Sequence, residues 1–166
     1  MMHKWFLCKA RYDKILENGM QKNVTESYLI DALSHTEAEA RFIAEITPFI
    51  NGNFEVAGII PQRINEMFYD ESADRWYKCR VNFITLDEKS GMEKKTASTM
   101  MVQAADLSGA LQGLNQGMLG TLADYDVASI AETAIMDVYP YVAPEDVVTI
   151  EKESTHEKES TEQDQQ

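Results

Sequence analysis

Two stretches of this chain are nearly the same. "KWFLCKARY" at residues 4–12 returns as "RWYKCRVNF" at residues 75–83. Trp5 falls on Trp76, Cys8 on Cys79, Lys9 on Arg80 and Tyr12 on Phe83, each 71 positions apart. After one extra residue in the following turn, "GMQK" at 19–22 meets "GMEK" at 91–94. The offset then returns to 71, with "NFEVAGI" at 53–59 on "DYDVASI" at 124–130 and "INEMFY" at 64–69 on "IMDVYP" at 135–140. Ordered self-similarity of this kind means that one structural unit is used twice. An internal duplication is expected, with halves at about 4–70 and 75–141.

Each half carries the same coarse elements. "WFLCKARYDKI" alternates two faces at period 2, the mark of a strand. Asn18-Gly19 reads as a hairpin turn, and "VTESYLIDAL" as the return strand. "SHTEAEARFIAEI" at 34–46 is helical, with Ala38, Phe42 and Ile46 on one side and a Thr36-x-x-Glu39 capping box expected at its start. "FEVAGII" and "INEMFY" supply two more strands. In the second half the helix is "DLSGALQGLNQGML" at 106–119, where three glycines each cost roughly 1 kcal/mol relative to Ala. The expected fold is α+β: tandem ββαββ units building an extended antiparallel sheet, two helices over one face, and a pseudo-two-fold relation between the halves. Residues 1–141 make one domain. Beyond it, "EKESTHEKESTEQDQQ" has no aromatic or large aliphatic residue, so residues 142–166 read as a disordered acidic tail.

The two faces of the opening strand differ. Phe6, Cys8, Ala10 and Tyr12, like Tyr77, Cys79, Val81 and Phe83, make an apolar face that suits packing under the helices. Tyr28, Ile30 and Ala32, and Met100, Val102 and Ala104, can join that side. The opposite face holds Trp5, Leu7, Lys9 and Arg11, with Trp76, Lys78, Arg80 and Asn82 in the second half. Return-strand residues such as Ser27, Leu29, Thr99 and Met101 share it. Aromatic platforms with interspersed cations suit single-stranded nucleic acid, bases stacking on the rings and phosphates on Lys and Arg. Trp5, Lys9, Arg11, Trp76, Lys78 and Arg80 are therefore the candidate nucleic-acid-binding residues. A plainer reading sets both Trp residues against loops or in a dimer interface, with the cations solvated at the edge.

Charge limits the options. The chain carries a formal −13, and the segment from Val142 onward holds eight carboxylates against two lysines. An acidic body argues against a general duplex-DNA coat, which must neutralise many phosphates, yet leaves room for a local basic face. The tail reads as solubilising, or as a competitor with a ligand for the basic strip. The two cysteines are read as buried thiols, and His3, His35 and His156 lack metal-ligand spacing. No catalytic motif is found, so no enzyme, cofactor or metal is expected. No apolar run approaches the ~20 residues of a membrane span. Lys9 and Arg11 break the only N-terminal apolar stretch that resembles a signal peptide, and a cytoplasmic location is expected.

The combination W-x-x-C-K-x-R-Y, then E-N-G-M-Q-K-x-V-T-E-x-Y-L-I-D-A-L-S-x-T-E-A-E-A-R, with "ETAIMDVYPY" at 132–141, resembles a family of uncharacterised proteins. That family is a domain of unknown function from Bacteroides-type gut bacteria and their phages. The resemblance covers about residues 4–141. It implies a phage or mobile-element setting near replication and recombination genes, and it brings no known activity or catalytic residue. The expected function is a non-catalytic binding protein of phage or mobile-element DNA metabolism, engaging single-stranded DNA through the Trp/Lys/Arg face. The alternative is a protein-interaction module, such as a phage-encoded inhibitor or adaptor of a host protein. Homo-oligomer formation is compatible with either.

Overall fold

The computed structural model describes residues 2–141. The expected acidic tail lies outside the described residues. The elements run β1 (Lys4–Ile15), β2 (Gln21–Ala32), α1 (His35–Ile46), a short 3-10 turn (Thr47–Phe49), β3 (Glu55–Gln62) and β4 (Glu66–Phe68). They continue with β5 (Arg75–Leu86), β6 (Glu93–Ala104), α2 (Leu107–Gly117), β7 (Asp124–Glu132) and β8 (Ile135–Tyr139). The molecule is α+β, with two helices and two mixed four-stranded sheets.

β1 and β2 pair antiparallel along their whole length, from Lys4 opposite Ala32 to Ile15 opposite Gln21. The turn between them needs a left-handed residue, which Gly19 supplies at φ +80°, while Asn18 Oδ1 accepts the Met20 N–H at 3.0 Å. β5 and β6 pair in the same way through a turn closed by Gly91 at φ +67°. There the Asp87 carboxylate accepts the Lys89 N–H at 3.0 Å, and that bond holds its carboxyl below the usual carboxylate range.

α1 begins two residues earlier than a Thr36–Glu39 box would place it. Ser34 is the N-cap, its Oγ accepting the Glu37 N–H at 3.1 Å, and Glu37 reaches back to accept the Leu33 N–H at 3.3 Å. The Ser hydroxyl wins because Ser34 still has extended backbone, whereas Thr36 is already inside the helix. α1 lays Ala38, Phe42 and Ile46 on Phe6, Cys8, Ala10, Tyr28 and Ile30. Burying Phe42 and Ile46 stabilises the unit by roughly 1.5–3 kcal/mol each. α2, capped by Asp106 onto the Gly109 N–H at 2.7 Å, lays Leu114 on Cys79, Val81, Met100 and Val102.

The expected single antiparallel sheet is corrected here. The sheet orders are β3-β1-β2-β8 and β4-β6-β5-β7. β4 crosses to pair in parallel with β6, and β8 crosses back to pair in parallel with β2. Residues 63–65 connect β3 to β4, and hydrogen bonds hold β4 on the second sheet. Asn65 N–H donates to Thr99 O at 2.8 Å, and Thr99 N–H donates to Asn65 Oδ1 at 3.0 Å. At the other crossing, the Thr133 N–H and Oγ1 both donate to Trp76 O, at 2.9 and 2.8 Å.

The helices therefore do not share a face of one sheet. Each covers the Cys-bearing face of its own sheet, and the two Trp-bearing faces meet. Leu29, Trp76, Met101 and Val138 form the core between them, with Trp5, Leu7, Ile64, Met67 and Ile135 packed around it. The layers run helix, sheet, sheet, helix. Among the described residues, no helix is long and apolar enough to cross a membrane.

Candidate functional site

Alternation along β1 sends Leu7 and Lys9 to the side opposite Cys8, and alternation along β5 does the same for Lys78 opposite Cys79. The sheets meet on those sides, so Lys9 and Lys78 come from different sheets to one cleft. The cleft has a volume of about 250 Å³. Leu7, Leu29, Ile64, Met101 and Ile135 give it an apolar wall. Lys9, Lys78 and Arg63 supply its charge, and Ser27, Gln62, Thr99 and Thr133 its neutral polar groups. Among the described residues, no Asp or Glu lines it.

The backbone explains why these side chains converge. Lys9 stands opposite Ser27 on β2 and Gly58 on β3, and the β1–β3 register shifts immediately after it. Such a bulge twists the strand locally and re-aims the neighbouring side chains. Lys78 stands opposite Met101 and Ala131. Arg63 and Ile64 arrive on the β3-to-β4 crossing, and Thr133, Ala134 and Ile135 on the β7-to-β8 crossing. Both crossings thus contribute to the cleft wall.

Among the described residues, Lys9, Lys78, Arg63 and Arg80 have no carboxylate within 4.0 Å, whereas Arg11 pairs with Glu55 at 3.8 Å. The Arg11–Glu55 pair is exposed and contributes little to stability. Three cations, none paired with a carboxylate among the described residues, thus face one small, partly apolar space in a chain of net −13.

The six residues expected to form a binding strip are distributed as follows. Lys9 and Lys78 share the cleft. Arg11 and Arg80 are exposed further along their strands and do not line it. Trp5 is half-buried, and Trp76 is only 2% exposed, with Tyr69 edge-on to its ring at 5.6 Å. The Trp76 ring belongs to the core between the sheets, so it has no face free to stack on a base. Arg63 and Thr133, on the crossings, and Gln62, the last residue of β3, were not foreseen, because period-2 patterning does not say which sheet a strand joins. Cys8 and Cys79 lie in separate cores under α1 and α2. Burial pushes the Cys8 thiol up to about 12, with Glu39 adding to it, and burial alone pushes Cys79 up to about 11.

Fold and cleft together define a two-sheet α+β domain with a cation-lined cleft between its sheets. A family model for the Domain of unknown function (DUF4494) matches residues 4–141, and the chain belongs to that family. No curated protein and no solved structure matches it.

Proposed function

We propose that the chain is a non-catalytic, cytoplasmic binding protein for single-stranded nucleic acid, serving the DNA metabolism of a phage or mobile element. Lys9, Lys78 and Arg63 hold phosphate at the cleft, and Arg80 and Arg11 continue the contact along the strands. The observation that carries this reading is the set of three cations around one cleft with no carboxylate among its described lining residues. Phosphate contact is the sequence-independent part of such binding. Trp76 has a different role from the stacking expected of it, because its ring belongs to the core.

A duplicated ββαββ unit with a pseudo-two-fold axis goes with this reading. Its support is that register shifts fall at Lys9/Ala10 in one half and at Arg80/Val81 in the other, the same offset of 71. Cleft residues also pair at offsets of 71 or 72: Leu7 with Lys78, Leu29 with Met101, Ile64 with Ile135. The cleft then lies on the axis, and the two halves differ where the charge is placed, with Lys78 and Arg63 standing against Leu7 and Ala134.

Fluorescence anisotropy with labelled oligonucleotides tests the reading. Binding is expected at low salt, with a log–log salt slope of roughly −2 to −3.5 for three to five phosphate contacts. Removing residues 142–166 is expected to tighten it. No binding at 20 mM salt by either form overturns the reading. The second reading, a protein-interaction module such as an inhibitor or adaptor, is favoured by one observation. Leu107 and Leu111 on α2 are 55% and 42% exposed beside Val127 and Ile130 of β7. It predicts that Leu107→Asp or Leu111→Asp abolishes a nuclease-resistant interaction and leaves oligonucleotide binding unchanged.

A further inference from the structure

We propose that the cleft between the sheets receives one mononucleotide-sized phosphate ester, its phosphate among Lys9, Lys78 and Arg63 and its organic body against the apolar wall. This rests on the binding reading above and narrows it to a ligand class. Three observations carry it. At about 250 Å³ the cleft falls just under the range of drug-sized pockets, so it holds one compact unit rather than a run of stacked nucleotides. A strand would therefore enter by an end or by a single unstacked unit. Leu7, Ile64 and Ile135, each part-exposed at the cleft, present an apolar wall that a bare phosphate ion would leave uncovered. The Ser27 and Thr99 hydroxyls and the Gln62 amide also line the cleft, and among the described residues their side chains make no hydrogen bond within the protein. The Thr133 hydroxyl, by contrast, is already donated to Trp76 O. Three uncommitted polar groups beside three unpaired cations match an ester that brings both anionic oxygens and neutral acceptors.

The test is an amide NMR titration of the full chain with 5′-AMP, adenosine, inorganic phosphate, and a short oligonucleotide with and without a 5′-phosphate. The expected result is that 5′-AMP shifts the Ser27, Thr99 and Ile135 amides at lower concentration than adenosine or phosphate. Lys78→Ala and Arg63→Ala, both exposed side chains, are each expected to weaken 5′-AMP by roughly ten- to a hundredfold, the loss of one charge-assisted contact. A 5′-phosphorylated oligonucleotide is expected to shift the same amides more than the unphosphorylated one. If millimolar 5′-AMP leaves those amides unmoved, the inference falls. If the oligonucleotide then still moves the Arg11 and Arg80 amides, nucleic-acid binding stands without it. If 5′-AMP binds and no oligonucleotide does, the cleft assignment is upheld and the strand reading is the one that fails. Inorganic phosphate binding as tightly as 5′-AMP also overturns the inference, since the apolar wall would then contribute nothing.

Discussion

His3 Nδ1 lies 2.7 Å from Asp31 Oδ1, and Asp31 is only 4% exposed. A carboxylate can only accept, so Nδ1 carries the proton of that bond. Asp31 Oδ2 also accepts the Tyr141 N–H at 3.4 Å, and the His3 and Tyr141 rings stack with centroids 5.2 Å apart. Arg41 donates to the Asp31 backbone carbonyl and, at 2.9 Å, to Pro140 O. Asp31 thus ties the start of β1 and the segment after β8 to the end of β2. Asp31→Ala leaves a buried space and strands the part-buried Tyr141 N–H, at a cost of about 1–3 kcal/mol. Urea denaturation should show the midpoint falling with m unchanged. His3→Ala, on an exposed ring, should cost less than half as much.

The buried thiols give the fold an alkaline weakness. Cys8 and Cys79 are raised to about 12 and about 11 from 9.0. A raised folded value means that the stabilisation is complete below pH 9, where both states keep the proton. It is lost as pH rises toward the folded values, because the unfolded thiol ionises first. Between pH 8 and pH 10 each thiol should therefore remove on the order of 1 kcal/mol. A Cys8→Ala/Cys79→Ala double variant should lose that part of the pH dependence. At pH 8 in buffer both thiols of the native protein should resist alkylation, and both should react promptly in 6 M guanidinium.

α2 contains three glycines, and one of them is there for space. A Cβ on Gly117 would meet the Phe68 ring at 2.6 Å, where β4 crosses onto the second sheet. Gly117→Ala gains up to about 1 kcal/mol of helix propensity and loses more to the displaced ring, for a net loss of roughly 1–2 kcal/mol. At Gly113 the nearest atom is Val102 Cγ1 at 3.1 Å, a contact that needs only a few tenths of an ångström of relief. Gly113→Ala should leave the thermal midpoint within a degree or two of wild type or raise it. Equal losses at both positions would mean that Phe68 does not set the limit at Gly117.

The residues that could be read ahead of the structure are those whose environment is local. Cys8 and Cys79 were legible as core because the alternation around them is strict, and a helix with Phe42 and Ile46 on one side had to lie over something. The Ser34 cap was misread as Thr36 because "SHTEAE" offers two overlapping capping patterns and only the backbone angle at Ser34 chooses between them. Trp76 and Arg63 were not legible for a different reason. Whether the Trp face meets solvent or another sheet depends on where β4 and β8 cross, and these short strands, three and five residues long, carry no pattern that decides it. The same crossing that buries Trp76 brings Arg63 to Lys9 and Lys78. One unreadable connection thus accounts for both the platform that was expected and not found and the cation that was found and not expected.

Trp76 gives the most direct optical check of that crossing. A 2%-exposed indole against Leu29, Met101 and Val138 should emit at short wavelength and resist iodide, while half-buried Trp5 should be quenched in part. In Trp5→Phe the remaining emission should stay blue and change little when an oligonucleotide is added, because a ligand at the cleft meets Lys78 and not the indole. In Trp76→Phe the core between the sheets loses volume, at a cost of roughly 1–3 kcal/mol. Strong quenching of Trp76 by an oligonucleotide, in a Trp5→Phe protein with unchanged thermal stability, would require the two sheets to part on binding and would replace the closed interface described above.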